Sequence, residues 1–334
     1  MKFLKWLAIV VLVLIVIYFL GPKPAPATLG TALPDVPASG LDTWIAANEH
    51  SHKLKPDNEA RIIWADSAHG VTEYSIVYLH GFSASQEEGD PVHRNFAKKI
   101  GANLYLSRLS DHGIDTTEPL LGFTADRVWE SAKEAYAIGK KLGRKVIIVG
   151  TSTGGTLALK LAALYPEIYS LILLSPNIAI NDPNAWVLNN PWGLQVAHLV
   201  KGEYNISEDT GALYKQYWNS KYRMEAAVEL EELLEKTMKA SVFEKVKQPV
   251  LLLYYYKDEA HQDDVVKVSA MLRMFRQLGT PDSLKKEQAL PATGNHVIGS
   301  YIRSKDLPSV EKAIDDFASK TLHLPFRDTL QQGM

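Results

Sequence analysis

The chain has 334 residues, 46% of them hydrophobic and 22% charged, with a formal net charge of −2. That composition excludes a disordered chain and can fill a large α/β core, while the near-balanced charge, without a long basic run, speaks against a nucleic-acid partner. Cysteine is absent, which removes disulfides and every thiolate metal site but leaves the redox compartment open.

At the N-terminus, Lys2 and Lys5 precede an unbroken apolar run from Trp6 to Leu20. Residues 1–20 therefore read as a membrane anchor or signal segment. Trp6 and Tyr18, near the two ends of the run, resemble interfacial anchors and favour retention; Ala25-Pro26-Ala27 offers the alternative of export with cleavage near Ala27. Lysines on the N-terminal side put the remaining chain outside the cytoplasm. Pro22, Pro24, Pro26, Pro34 and Pro37 then predict a stiff, extended spacer without a core over 21–40.

From residue 41 onward, strands and helices alternate. A short helix is expected at 41–49, strands at 61–64 and 75–79, a helix at 93–100 and a strand at 103–107. An amphipathic helix follows at 123–142, with Thr124 as N-cap and Gly143 beyond its end. Val146 to Val149 is a short β-branched run of the kind a buried parallel strand needs, and Leu157, Leu161 and Leu164 recur at helical spacing until Pro166. Strands at 169–175, 249–256 and 283–290 and helices at 265–278 and 310–320 complete the pattern. Continuous apolar strands alternating with helices mean a mostly parallel, doubly wound sheet covered on both faces. The stretch at about 176–248 breaks the rhythm and is rich in Asn, Pro and aromatics before a charged helical run at 223–237. It reads as a cap over the catalytic face, with Trp186, Trp192 and Trp218 as candidates for the wall of a substrate pocket.

Between the strand at 145–149 and the helix after it lies Gly150-Thr151-Ser152-Thr153-Gly154. A G-x-S-x-G is weak alone; a buried-type strand before it and a helix after it make Ser152 a candidate nucleophile on a sharp turn, with Gly150 and Gly154 permitting close approach. A phosphate loop is rejected, because Thr156-Leu157 stands where that loop needs Lys then Ser or Thr. The strand at 75–79 runs into His80-Gly81-Phe82, and a loop in that position can supply one oxyanion donor, the Phe82 N–H, beside the Thr153 N–H.

A serine needs a base and the base needs an orienting carboxylate. Of the histidines after the elbow, His296 lies in a loop directly after the last strand, where parallel sheets place their ligands. Asp258 stands just past the strand at 249–256. Asp263 and Asp264 are close behind, but either also fits as N-cap of a helix from Val265, so Asp258 is the preferred acid.

With Ser152, Asp258, His296 and the His80-Gly81-Phe82 loop, residues 61–320 resemble the α/β-hydrolase family, in particular its lidded esterase and lipase branch. The resemblance implies a serine hydrolase acting on a small-molecule or lipid carboxylic ester: Ser152 as nucleophile, His296 as base, Asp258 as its orienter, Phe82 and Thr153 N–H as oxyanion donors, no metal and no organic cofactor. Lipase or thioesterase chemistry on the same residues, and a non-catalytic membrane-tethered binding module, are the alternatives.

Overall fold

The computed structural model describes residues 2–209 and 211–327. Helix α1 (Lys2–Phe19) contains no buried residue, and hydrogen bonds tie its last turn to Asn190 and Trp192. It is long and apolar enough to cross a membrane, by length and composition.

The proline-rich stretch after it differs from the expectation of a spacer without a core. Leu29 and Val36 are buried, and the backbone between them is held by side chains of the domain: Asp126 accepts from the Leu29 N–H at 2.6 Å, the Trp129 indole donates to the Gly30 carbonyl at 2.7 Å, the Tyr165 hydroxyl to Thr31 at 2.7 Å and Lys133 to Ala32 at 2.6 Å. A segment that lacks donors at its prolines and joins no strand must have its carbonyls satisfied from outside when it is buried. The partners lie between residues 126 and 165, far along the chain, so composition alone gave no sign of them.

After α2 (Leu41–His50) come β1 (Arg61–Ile63), β2 (Thr72–Leu79), α3 (Val92–Ile100), β3 (Asn103–Leu106), α4 (Ala125–Leu142), β4 (Gly143–Thr151), α5 (Thr153–Leu164) and β5 (Ser170–Leu174). The cap contains α6 (Gly193–Lys201), β6 (Tyr204–Ile206), α7 (Ala212–Tyr217), β7 (Lys221–Arg223), α8 (Met224–Thr237) and α9 (Ala240–Phe243). Then follow β8 (Val250–Tyr254), β9 (Tyr256–Asp258), β10 (His261–Gln262), α10 (Val268–Gln277), β11 (Lys285–Ala289) and α11 (Leu307–Lys320). One seven-stranded sheet has the order β1-β3-β2-β4-β5-β8-β11; β1 is antiparallel to β3 and the other pairings are parallel.

The apolar runs of the central strands follow from burial on both faces. In β4, Val146 and Ile148 point into the core shared with α4, α5, α8 and α10, whereas Ile147 and Val149 point into the core shared with α3 and α11. Adjacent β5 does the same with Leu171 and Leu173 on one side and Ile172 and Leu174 on the other. Such a sheet is held rigidly on two sides, and the carboxyl ends of β2, β4 and β8 become fixed points from which loops are hung.

Candidate active site

The turn after β4 is tight. Ser152 has φ 52° and ψ −118°, a region in which a residue with a side chain is strained. Its N–H donates to the Leu174 carbonyl at 3.0 Å, and its own carbonyl accepts from the Gly155 and Asn177 N–H groups, each at 2.9 Å. A Cβ at Gly154 would overlap the Leu79 carbonyl oxygen, and one at Gly150 would lie 2.6 Å from the Gly154 carbonyl carbon. The two glycines are therefore steric requirements of the crossing between β2, β4 and α5. Ser152 is 6% exposed and lines a cavity of about 740 Å³ beneath the cap, a size suited to a small ligand.

At the end of β2, His80 is buried and braces the loop from within. Its Nδ1 pairs with the Gly81 carbonyl at 2.9 Å, so that nitrogen carries the proton, and its Nε2 accepts from the Leu109 N–H at 3.0 Å. Burial, with His112 alongside, holds its pKa well below the ordinary value. His112 repeats the arrangement one step on, accepting from the Ser83 N–H at 3.0 Å and pairing with the Ser110 carbonyl at 2.8 Å; burial lowers its pKa to about 4. Two neutral histidines thus hold residues 80–83 in place. Phe82 lines the cavity, and among the described residues neither the Phe82 nor the Thr153 N–H has a hydrogen-bond partner.

His296 lies on the cavity wall with Ser152. Its Nδ1 is 2.6 Å from Asp263 Oδ2. A carboxylate can only accept, so Nδ1 carries the hydrogen and Nε2 is left with its lone pair. Burial opposes the imidazolium, but Asp263, by charge and hydrogen bond, and then Glu88 and Asp264 outweigh it, and the His296 pKa is raised.

The carboxylate differs from the expectation, which chose Asp258. Asp258 is exposed on the β9-β10 hairpin, where its Oδ1 accepts from the Ala260 N–H at 3.0 Å and pairs with His261 Nδ1 at 2.8 Å. That hairpin, inserted directly after β8, postpones the return of the chain to the sheet edge by five residues. Asp263, 1% exposed, accepts from the Val265 and Val266 N–H groups through Oδ1 at 2.9 and 3.0 Å and holds His296 through Oδ2. The turn-forming duty that counted against Asp263 occupies only one of its two oxygens. Asp264 lies on the cavity rim, and α10 begins at Val268 rather than Val265.

Of the three cap tryptophans, Trp218 lines the cavity and stacks on Tyr214 with ring centroids 5.2 Å apart. Trp186 and Trp192 do not line it. Trp192 turns outward, its indole donating to the Ile17 carbonyl of α1 at 3.0 Å and its backbone N–H to Pro22 at 2.8 Å. An aromatic-rich loop reveals that surfaces must be covered, not which side each ring takes.

One member of the site left no mark in the sequence. Glu88, in the pair Glu87-Glu88 that reads as ordinary surface charge, is buried on the cavity wall, and the Gly81 N–H donates to its carboxylate. A Cβ on Gly81 would stand 2.8 Å from the Glu88 carboxylate oxygens and 3.0 Å from Ser152 Cβ, so the carboxyl and the serine are neighbours. Burial pushes the Glu88 carboxyl up to about 7, against the pull of the Gly81 N–H and His296.

Sheet order, strained serine turn and cap together define an α/β-hydrolase fold, and the family model for that fold matches residues 74–197. The chain is distantly related to a thermostable monoacylglycerol lipase of Bacillus sp. (strain H-257), 29% identical over 109 residues that span 32% of this chain and 42% of that protein. Among solved structures, one of two metagenome-derived lipolytic enzymes superposes with a TM-score of 0.63 at 17% identity, covering 80% of this chain and 100% of the other. The monoacylglycerol lipase of Paleococcus ferrophilus gives 0.57 at 16% identity over 78% of this chain and 98% of its own. The enzyme Est1E from Butyrivibrio proteoclasticus, solved with ferulic acid, gives 0.53 at 18% identity over 79% and 95%.

Proposed function

We propose that the chain is a serine hydrolase that cleaves a carboxylic ester through an acyl-enzyme on Ser152. The observation that carries this reading is the buried 2.6 Å bond from His296 to Asp263 on the wall of a cavity that Ser152 shares. Asp263 keeps the proton on Nδ1, so Nε2 is the base that takes the Ser152 proton as Oγ bonds to the ester carbon. The carbonyl electrons move onto oxygen, where the Phe82 and Thr153 N–H groups, both without another partner, and the N-terminal end of α5 favour the negative charge. The tetrahedral species collapses, the alcohol leaves with the proton from Nε2, and water repeats the sequence on the acyl-enzyme to release the acid. A catalytic hydrogen bond from Ser152 to His296 that forms only with substrate is common for this chemistry.

The relatives favour a single-chain ester lipid within that class, since the curated relative and one solved structure are monoacylglycerol lipases and the cavity wall includes an apolar group of Ile180, Leu188, Val196 and Leu230. The membrane role belongs to α1: 18 residues without a buried side chain act as a retained anchor, with the catalytic domain outside the cytoplasm. Fluorophosphonate labelling tests the chemistry. Wild-type protein is expected to be labelled and to hydrolyse nitrophenyl esters, and Ser152→Ala to do neither. Equal labelling of both proteins would end the serine-hydrolase reading.

A further inference from the structure

The outer face of the cap is apolar in a pattern that the cavity uses only in part. Trp192, Val196, Leu199 and Val200 fall at helical spacing along α6 and all are exposed, Leu199 at 88%. Exposed Trp186 lies just before them. A stripe of this kind on the surface of a domain marks a place where something else is bound.

Two further observations say what covers it. The stripe starts at the residue that holds the membrane helix: Trp192 donates to the Ile17 carbonyl at 3.0 Å, and the Tyr18 hydroxyl donates to Asn190 at 3.2 Å. Wherever the last turn of α1 leaves a bilayer, Trp192 is at its surface, and Leu199 follows about 10 Å further along α6. Moreover, Val196 and Val200 also line the catalytic cavity, so the opening of the cavity lies within the stripe.

We propose that the α6 face rests on the same bilayer that α1 enters, and that the cavity opening at Val196 and Val200 takes a single-chain ester lipid directly from that bilayer. The docking half rests on the reading of α1 as an anchor, and the substrate half on the reading of the site as an ester hydrolase. Tryptophan at the interface and aliphatic side chains dipping below it are the arrangement of a helix lying in the membrane plane.

Because the chain has no cysteine, a single introduced thiol can be labelled uniquely. Full-length Leu199→Cys and Val71→Cys, each carrying an environment-sensitive dye, are reconstituted in phosphatidylcholine vesicles; exposed Val71 precedes β2, at the sheet end away from Ser152. The dye at position 199 is expected to be quenched by brominated lipid and shielded from aqueous iodide, and the dye at 71 to show the reverse. In parallel, the double variant Trp186→Asp, Leu199→Asp, which alters no cavity residue, should keep wild-type turnover of nitrophenyl acetate and lose about tenfold or more on monoacylglycerol held in the vesicles.

Equal iodide access at 199 and 71, or undiminished vesicle activity in the double variant, would overturn the proposal. Shielding at 199 from both quenchers would instead assign the face to a second copy of the chain, and protein that fails to float with vesicles would overturn anchor and docking together. Loss of nitrophenyl acetate turnover in the wild type would refute the hydrolase reading, while the dye still decides whether the face docks.

Discussion

Around Ser152 every neighbouring atom is constrained: two glycines admit no Cβ, the backbone is bonded to Leu174 and Asn177, and a buried two-sided sheet stands behind. Across the same cavity, α8 packs into the main core, but the part of the cap from α6 to β7 is joined by scattered links, such as the Asn219 N–H to the Ser83 carbonyl at 2.7 Å and the Tyr217 hydroxyl to Asp57 at 2.9 Å, and it leaves much of α6 facing outward. Chemistry is assigned to the constrained side, and selection and approach of substrate to the looser one. The difference teaches that substitutions on the two sides should behave differently: abrupt where geometry is over-determined, graded where a wall is merely filled.

The strongest way to break this contrast is at the elbow itself. Ser152→Ala is expected to lower kcat on the order of 10⁶-fold with an unchanged thermal midpoint, read by initial rates and calorimetry. Asp263→Asn comes next. It should cost roughly 10⁴-fold, because an amide can donate to Nδ1 and stabilise the wrong tautomer, whereas Asp258→Asn should change kcat/KM by less than about twofold because its partners are its own hairpin. A reversed ranking in steady-state kinetics would return the role to Asp258.

On the cap side, Trp218→Ala should alter the preference for acyl length, each buried methylene being worth about 0.8 kcal/mol, and leave acetate esters nearly untouched. Trp186→Ala should reproduce the wild-type profile on soluble esters from two to twelve carbons, since its ring is outside the cavity. Identical profiles for wild type and Trp218→Ala would remove the cap from substrate selection.

The smallest effect concerns pH. His296 must be neutral to act as base, so kcat/KM rises with pH through its pKa, which Asp263 and Glu88 hold above the ordinary value. Glu88 carries its charge only above about 7, so Glu88→Gln removes a negative charge from the upper part of that titration and lowers that pKa. The acidic limb should therefore move to lower pH. A limb that stays in place, measured on a nitrophenyl ester across pH 4 to 9 (roughly the range in which such groups titrate), would exclude electrostatic coupling between Glu88 and His296.

What could be read from the residues alone was whatever depends on near neighbours in sequence. The alternation of apolar strands and helices follows from local periodicity, and the Ser152 turn follows from five consecutive residues whose steric needs are met on the spot. The His296 loop was legible because it lies just after the last strand, and α1 because 18 residues suffice to define it. Four other features required the assembled fold. The choice of Asp263 over Asp258 depended on a hairpin that shifts which residue returns to the sheet edge, and on one carboxylate serving two partners at once. The docking of residues 21–36 depended on side chains of α4 and on Tyr165, just past α5, that approach from about a hundred residues or more away, and the outward turn of Trp192 depended on where α1 ends. Glu88 is the extreme case. Nothing local distinguishes it from its neighbour Glu87, which is also buried, and only the packing of its loop against Gly81, Ser152 and the cap places its carboxyl beside Ser152.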